Sequence, residues 1–277
     1  MSTEPDNSGT RIYLLPNLMT AGNLFCGFAA VLKILDAVIQ MKSGLDPSDP
    51  IHLAIWFILG ACIFDLLDGR IARLGGNESA FGREFDSLAD VVSFGVAPAL
   101  LVWQIVLRDF DRYGWLIAFF YLACGALRLA RFNTAAAANL DVAESKDFQG
   151  FPIPAAAGLI ASLTLLMLWL DAGQKTIGPW KFALPPLMLF LSFMMFSKVS
   201  YPSFKALNWR TRHSIPKFIA TIVLMIFTAM NYEWMPATTF IAYLLYGLAR
   251  PLLSQSWRRG IEAELGEVDE AAEEDRS

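Results

Sequence analysis

Apolar residues along this chain come in long runs rather than in short amphipathic stripes. Eight runs stand out, at 17–40, 51–68, 87–107, 114–133, 153–171, 182–197, 215–231 and 235–250, of which the sixth and eighth are the shortest. A hydrocarbon core about 30 Å thick asks for roughly 20 apolar residues per helical crossing, so each run predicts one membrane span. Short stretches rich in Gly, Pro and charge separate the runs and predict the turns. The expected architecture is an all-α polytopic membrane protein with about eight transmembrane helices.

Composition points the same way. Of 277 residues, 55% are hydrophobic and 17% charged, and the mean hydropathy is +0.45, which excludes an ordinary soluble domain of this size. The opening MSTEPDNSGT is polar and acidic, unlike the basic region and apolar core of a signal peptide. Lys and Arg are retained preferentially on the cytoplasmic side. An inside N-terminus places Arg70, Arg73, Arg83, Arg128, Arg131, Lys198, Lys205, Lys217, Arg258 and Arg259 among the inner cations, leaving Lys42, Arg108, Arg112, Lys175 and Lys181 outside. Both termini are therefore expected in the cytoplasm. The formal charge of −4 owes much to the final EAELGEVDEAAEEDRS, which reads as a disordered acidic tail. Cys26, Cys62 and Cys124 lie in apolar spans without metal-ligand spacing and read as small hydrophobes, and His52 and His213 fall at span ends. No internal repeat or nucleotide-binding glycine loop is apparent, and no nucleic-acid partner is expected.

The second span ends in Phe64-Asp65-Leu66-Leu67-Asp68-Gly69-Arg70-Ile71-Ala72-Arg73, and the third begins in Gly82-Arg83-Glu84-Phe85-Asp86-Ser87-Leu88-Ala89-Asp90. Asp65 and Asp68 are three apart and Asp86 and Asp90 four apart, so each pair shares a helix face and the short connection can bring the faces together. Ionised carboxylates at the edge of a low-dielectric medium are costly unless paired or metal-bound. Divalent cations resolve that conflict, since carboxylate oxygens suit Mg²⁺ or Mn²⁺ and two such ions can clamp a phosphoryl group. The competing readings are a cluster neutralised by Arg70, Arg73 and Arg83, or a cation pathway. Gly69 and Gly82 beside the acids would let a ligand approach the backbone, although each also suits plain helix packing.

The residues spell D-x2-D-G-x2-A-R-x8-G-x3-D-x3-D through Asp65, Asp68, Gly69, Ala72, Arg73, Gly82, Asp86 and Asp90. This pattern resembles the signature of the CDP-alcohol phosphotransferase family. The resemblance implies a core of six membrane helices, here residues 12–205, preceded by a polar segment 1–11 and followed by an additional pair of spans at 206–255 and a tail at 256–277. It implies two divalent cations, Mg²⁺ or Mn²⁺, with Asp65, Asp68 and Asp86 as main ligands. Asp90 would stand beside the metals and take the proton of the attacking hydroxyl. Gly69 and Gly82 would flank the cytidine and pyrophosphate, Arg73 would face phosphate, and the chain would form a homodimer.

Three further segments bear on the alcohol. In Pro16-Asn17-Leu18-Met19-Thr20-Ala21-Gly22-Asn23, the polar residues Asn17, Thr20 and Asn23 recur every three. They form either an interior stripe aimed at the nucleotide phosphates, with Asn23 a donor-binding residue, or simply a helix N-terminus with capping groups. Arg128 and Arg131, in Gly125-Ala126-Leu127-Arg128-Leu129-Ala130-Arg131-Phe132-Asn133, are suited to a substrate carboxylate or to snorkelling at the interface. Phe148-Gln149-Gly150-Phe151-Pro152-Ile153-Pro154-Ala155-Ala156-Ala157-Gly158 shapes the entry to the fifth span. Together with Ser197-Lys198-Val199 and Tyr201-Pro202-Ser203-Phe204-Lys205, these segments resemble the phosphatidylserine synthase branch. That branch implies transfer of a phosphatidyl group from CDP-diacylglycerol to L-serine, with Arg128 and Arg131 as acceptor residues, and the charge bias with the position of Asp65 to Asp90 predicts a cytoplasm-facing site of the inner membrane. A relative using choline, inositol or glycerol phosphate would keep the aspartates, and an ion transporter would be expected to show repeated halves or broken helices.

Overall fold

The structure is a computed structural model that describes residues 14–74, 80–137, 147–171, 178–197, 200–202 and 230–249. It is a helical bundle with one short strand pair. Helix α1 spans Leu14–Lys42 and α2 spans Ser48–Leu74. The third span is continuous but irregular: α3 (Ala80–Asp90), a π-helical turn (Val91–Val96), then α4 (Ala97–Ile105). A 3₁₀ turn at Leu107–Phe110 leads into α5 (Asp111–Ala137), followed by β1 (Asp147–Gln149), α6 (Ile153–Leu170), α7 (Leu184–Phe196), β2 (Ser200–Pro202) and α8 (Met235–Ala249).

Six of these helical stretches are long and apolar enough to cross a membrane: Pro16–Lys42, Ser48–Gly69, Phe81–Ile105, Leu107–Ala135, Ile153–Leu170 and Pro179–Phe196. They correspond to the first six runs of the sequence, the third beginning several residues earlier than its apolar run because the acidic segment carrying Asp86 is already helical. Most of the expected seventh span lies outside the described residues. The eighth forms α8, whose 15 described residues rise about 22 Å at 1.5 Å per residue. Phe25, Phe28, Leu88, Phe119 and Phe193 are all more than half exposed on the bundle exterior, a surface that hydrocarbon tolerates and water does not. The protein is integral to a membrane.

Small residues set how closely the helices approach. The α1 face Cys26, Ala30, Ile34 and Ala37 packs on the α2 face Ile51, Ala54, Ile55, Ile58 and Ala61, both at helical spacing. Helix α6 occupies the centre and is buried almost all round, from Ile153 through the Ala155–Ala157 run to Met167, as expected of a helix with no polar face. At its entry Pro152 and Pro154 fix the first turn. Gly150 takes φ +81° beside the Met195 carbonyl, a place closed to a side chain. The Phe151 amide donates to the Met194 carbonyl at 3.0 Å, and β1 pairs antiparallel with β2, Phe148 opposite Tyr201. Two sequence segments fifty residues apart are thus joined at one end of the bundle.

The π turn has an identifiable cause. Pro98 has no N–H to offer the Phe94 carbonyl four residues earlier, and the Ala97 amide reaches back five residues to Val92. The buried Tyr121 hydroxyl on α5 donates to that Phe94 carbonyl at 3.1 Å in the proline's stead. The turn opens directly after Asp90.

Candidate active site

Helix α2 carries Asp65 and Asp68 one turn apart, and α3 carries Asp86 and Asp90 one turn apart. The two helices bring one carboxylate oxygen each from Asp65, Asp68 and Asp86 to within 4.8 Å of one another. Asp68 is buried, and Asp65 and Asp86 are half-buried. Three hard anionic donors at such separations match what Mg²⁺ or Mn²⁺ accepts and match nothing apolar packing would select. The residues present therefore fit the divalent metal that the aspartate pattern implies. Gly69 follows Asp68, and a Cβ there would meet none of the described residues within 4 Å. A ligand has room beside the acids at that point.

Asp90 stands apart from this triad in its contacts. It is buried, at 5% exposure, and its Oδ1 accepts a 3.0 Å hydrogen bond from the Nδ2 of Asn23, which is wholly buried on α1. The Ser93 hydroxyl in the π turn donates in turn to the Asn23 backbone carbonyl at 2.9 Å. Gly27, one turn beyond Asn23, makes room for this: a Cβ there would lie 2.6 Å from the Ser93 Cα. Thr20, one turn before Asn23, places its hydroxyl 3.2 Å from both Asp68 Oδ2 and the Pro16 carbonyl, so one proton serves two acceptors. The polar stripe on α1 is thus interior, and its Thr20 and Asn23 engage the acids.

Arg128 projects from α5 half-buried, within electrostatic reach of Asp65, of Asp90 and of Tyr243 on α8. Its Nε is buried with no hydrogen-bond partner among the described residues. Arg131, three residues on, is exposed, so the two arginines do not share one environment. Gly82 and Arg73 lie in α3 and α2 respectively, Arg73 with its side chain outside the described residues. The Asn133 Nδ2 reaches Ser87 Oγ at 2.9 Å and Glu84 Oε2 at 3.4 Å, fastening α5 to α3 beside Asp86.

Sequence reasoning missed Ser93, Tyr121, Asn133 and Tyr243. A faint signal existed for the first two, since Pro98 within an apolar run announces a freed carbonyl and Ser93 is the first polar side chain after Asp90. For Asn133 and Tyr243 no spacing rule would have paired them with residues on other helices.

The profile of the CDP-alcohol phosphatidyltransferase family matches residues 13–194. The chain is 32% identical over 240 residues to the CDP-diacylglycerol–serine O-phosphatidyltransferase of Helicobacter pylori (strain ATCC 700392 / 26695), covering 86% of this chain and 91% of that protein. It is 33% identical over 191 residues to the enzyme of the same name from Bacillus subtilis (strain 168), covering 69% of this chain and 91% of the other. To the archaetidylserine synthase of Methanothermobacter thermautotrophicus it is 32% identical over 199 residues, 71% of this chain and 73% of that one.

Proposed function

We propose that this chain, which belongs to the CDP-alcohol phosphatidyltransferase family, transfers the phosphatidyl group of CDP-diacylglycerol to the hydroxyl of L-serine and releases CMP. The observation that carries the chemistry is the convergence of Asp65, Asp68 and Asp86 beside a fourth, separately held carboxylate. The acceptor is supported by the relatives whose names specify serine and which this chain matches over most of their length.

In this reading Asp65, Asp68 and Asp86, with Asp90 at their side, hold two divalent cations, Mg²⁺ or Mn²⁺. When bound, these offset the charge of the pyrophosphate and of the departing CMP. The chain's own residues do the rest. The serine oxygen attacks the phosphatidyl phosphorus, the phosphorus–oxygen bond to CMP breaks as the bond to serine forms, and the hydroxyl proton passes to Asp90. Gly69 leaves the backbone open to the donor, and the family resemblance assigns Gly82 to the donor's cytidine and pyrophosphate and Arg73 to its phosphates. Arg128 holds the serine carboxylate: its buried Nε has no hydrogen-bond partner among the described residues, and a guanidinium presents parallel donors that match a carboxylate. The exposed Arg131 stands second in that role.

The charge bias of the sequence supports an inner-membrane location with both termini and the aspartates on the cytoplasmic side, where water-soluble serine and a bilayer-held donor meet. The end of the family match at residue 194 supports a core of 12–205 with an appended C-terminal part, and the resemblance supports a homodimer. The test is CMP release and lipid product from the purified chain in nanodiscs with CDP-diacylglycerol, Mg²⁺ or Mn²⁺, and serine, choline, inositol or glycerol phosphate in turn. Serine-dependent release that stops on chelation is the expected result. Release driven by another alcohol and not by serine would overturn the acceptor assignment.

A further inference from the structure

Asn23 is wholly buried in the first membrane helix, yet its side chain spends one polar group on a single neighbour and leaves its Oδ1 without a hydrogen bond among the described residues. An amide in that position is a poor choice for packing, since an apolar side chain there would leave no polar atom to bury. The bond it does make is to Asp90, and the chemistry fixes the amide's orientation, because only the nitrogen can face a carboxylate oxygen. Asn23 is itself tied at the backbone. Ser93 donates to its carbonyl from the π turn that begins at the residue after Asp90, and Gly27 permits the approach. Asp90 is thereby held from two sides: through its own side chain by Asn23, and through the turn that continues its helix.

We propose that Asn23 is a positioning residue, whose amide fixes the Asp90 carboxylate in the orientation that receives the acceptor proton, with Ser93 locking Asn23 and the π turn to one another. This rests on the phosphatidyl-transfer reading above. It differs from the sequence expectation that Asn23 binds the donor nucleotide, and the two make opposite forecasts. A positioning group acts on the rate of the chemical step, whereas a donor contact acts on donor affinity.

The experiment compares the wild-type chain, Asn23→Leu and Ser93→Ala in nanodiscs. It measures turnover, apparent KM for CDP-diacylglycerol and for serine, and direct binding of CDP in the presence of Mg²⁺. Asn23→Leu should lower kcat on the order of tenfold to a hundredfold, the scale on which a misplaced reacting group costs rate, with CDP binding and both KM values within about twofold of wild type. Ser93→Ala removes a hydroxyl whose hydrogen bond goes to the Asn23 carbonyl, and it should lower kcat by a smaller factor with the same unchanged affinities. Should Asn23→Leu fail to fold, Ser93→Ala decides alone. Loss of CDP affinity in parallel with rate would return Asn23 to the donor site, and unchanged kcat in Ser93→Ala and any folded Asn23→Leu would remove the role altogether. A wild-type chain with no CMP release under any alcohol would instead sink the functional reading, a separate outcome from either.

Discussion

Three carboxylates with oxygens within 4.8 Å of one another repel, and that repulsion separates the catalytic role proposed for the aspartates from any role in folding. Asp86→Asn removes one ligand charge and part of the mutual repulsion at once. Turnover is expected to fall on the order of 100-fold or more, while thermal unfolding in detergent occurs at or above the wild-type temperature. Full turnover by Asp86→Asn would dismiss the metal centre, and a large drop in unfolding temperature would make the cluster structural. Arg128 allows a second separation. Its Nε is buried and has no hydrogen-bond partner among the described residues, and the serine contact proposed for it should be largely lost in Arg128→Lys, because an ammonium cannot reproduce two parallel donors. The apparent KM for serine should rise about tenfold, the scale of one charge-assisted hydrogen bond, with CDP-diacylglycerol KM unchanged. Wild-type serine dependence in that variant would eliminate the clamp. Equal loss of both affinities would move Arg128 to the donor phosphates.

At the scale of an element, the third span shows how one residue without an N–H can reshape a helix directly after Asp90. Pro98 leaves the Phe94 carbonyl without its helical donor, the π turn follows, and Tyr121 covers the carbonyl from α5. A carbonyl uncovered in a bundle interior costs about 1–3 kcal/mol. Tyr121→Phe should therefore lower stability by about that much, read as an earlier thermal unfolding transition. Pro98→Ala restores an N–H four residues from Phe94, and it should recover part of the loss when combined with Tyr121→Phe. Identical unfolding of Tyr121→Phe and wild type would show that the hydroxyl contributes nothing net. The other elements are simpler: α1 and α2 pack through a seam rich in small residues, and α6 is buried because it has no polar face to expose.

Across the whole molecule, the aspartates converge where α2 ends and α3 begins, at the same end of the bundle as the C-terminal half of α5 with Arg128 and Asn133. In the topology proposed from the charge bias, that end faces the cytoplasm. Gly76→Cys, placed in the connection between α2 and α3, should react with a membrane-impermeant thiol reagent only from the inner face of sealed vesicles. Labelling only from the outer face would invert the topology and place the site away from cytoplasmic serine. The short α8 lies beyond the matched family region, yet it packs Phe240 over Gly158 of the central helix and brings Tyr243 near Arg128. Helix α8 thus reaches the neighbourhood of Arg128.

Much of this was already written in the order of residues. Hydrophobic run length fixed the first six spans, because hydrocarbon thickness leaves little freedom in how long an apolar helix must be. The spacing of Asp65, Asp68, Asp86 and Asp90 fixed which faces carry the acids, because helical periodicity is a local property of the backbone. Spacing left open whether the Asn17–Thr20–Asn23 stripe points inward or caps a helix end, and whether Arg128 and Arg131 act alike. Those choices depend on how each helix is rotated against its neighbours. That rotation is set by contacts between distant residues, Gly27 with Ser93, Tyr121 with Phe94, Asn133 with Ser87. Only tertiary packing decides it, since a helix dictates the angles between its own side chains and not the direction in which the whole set faces.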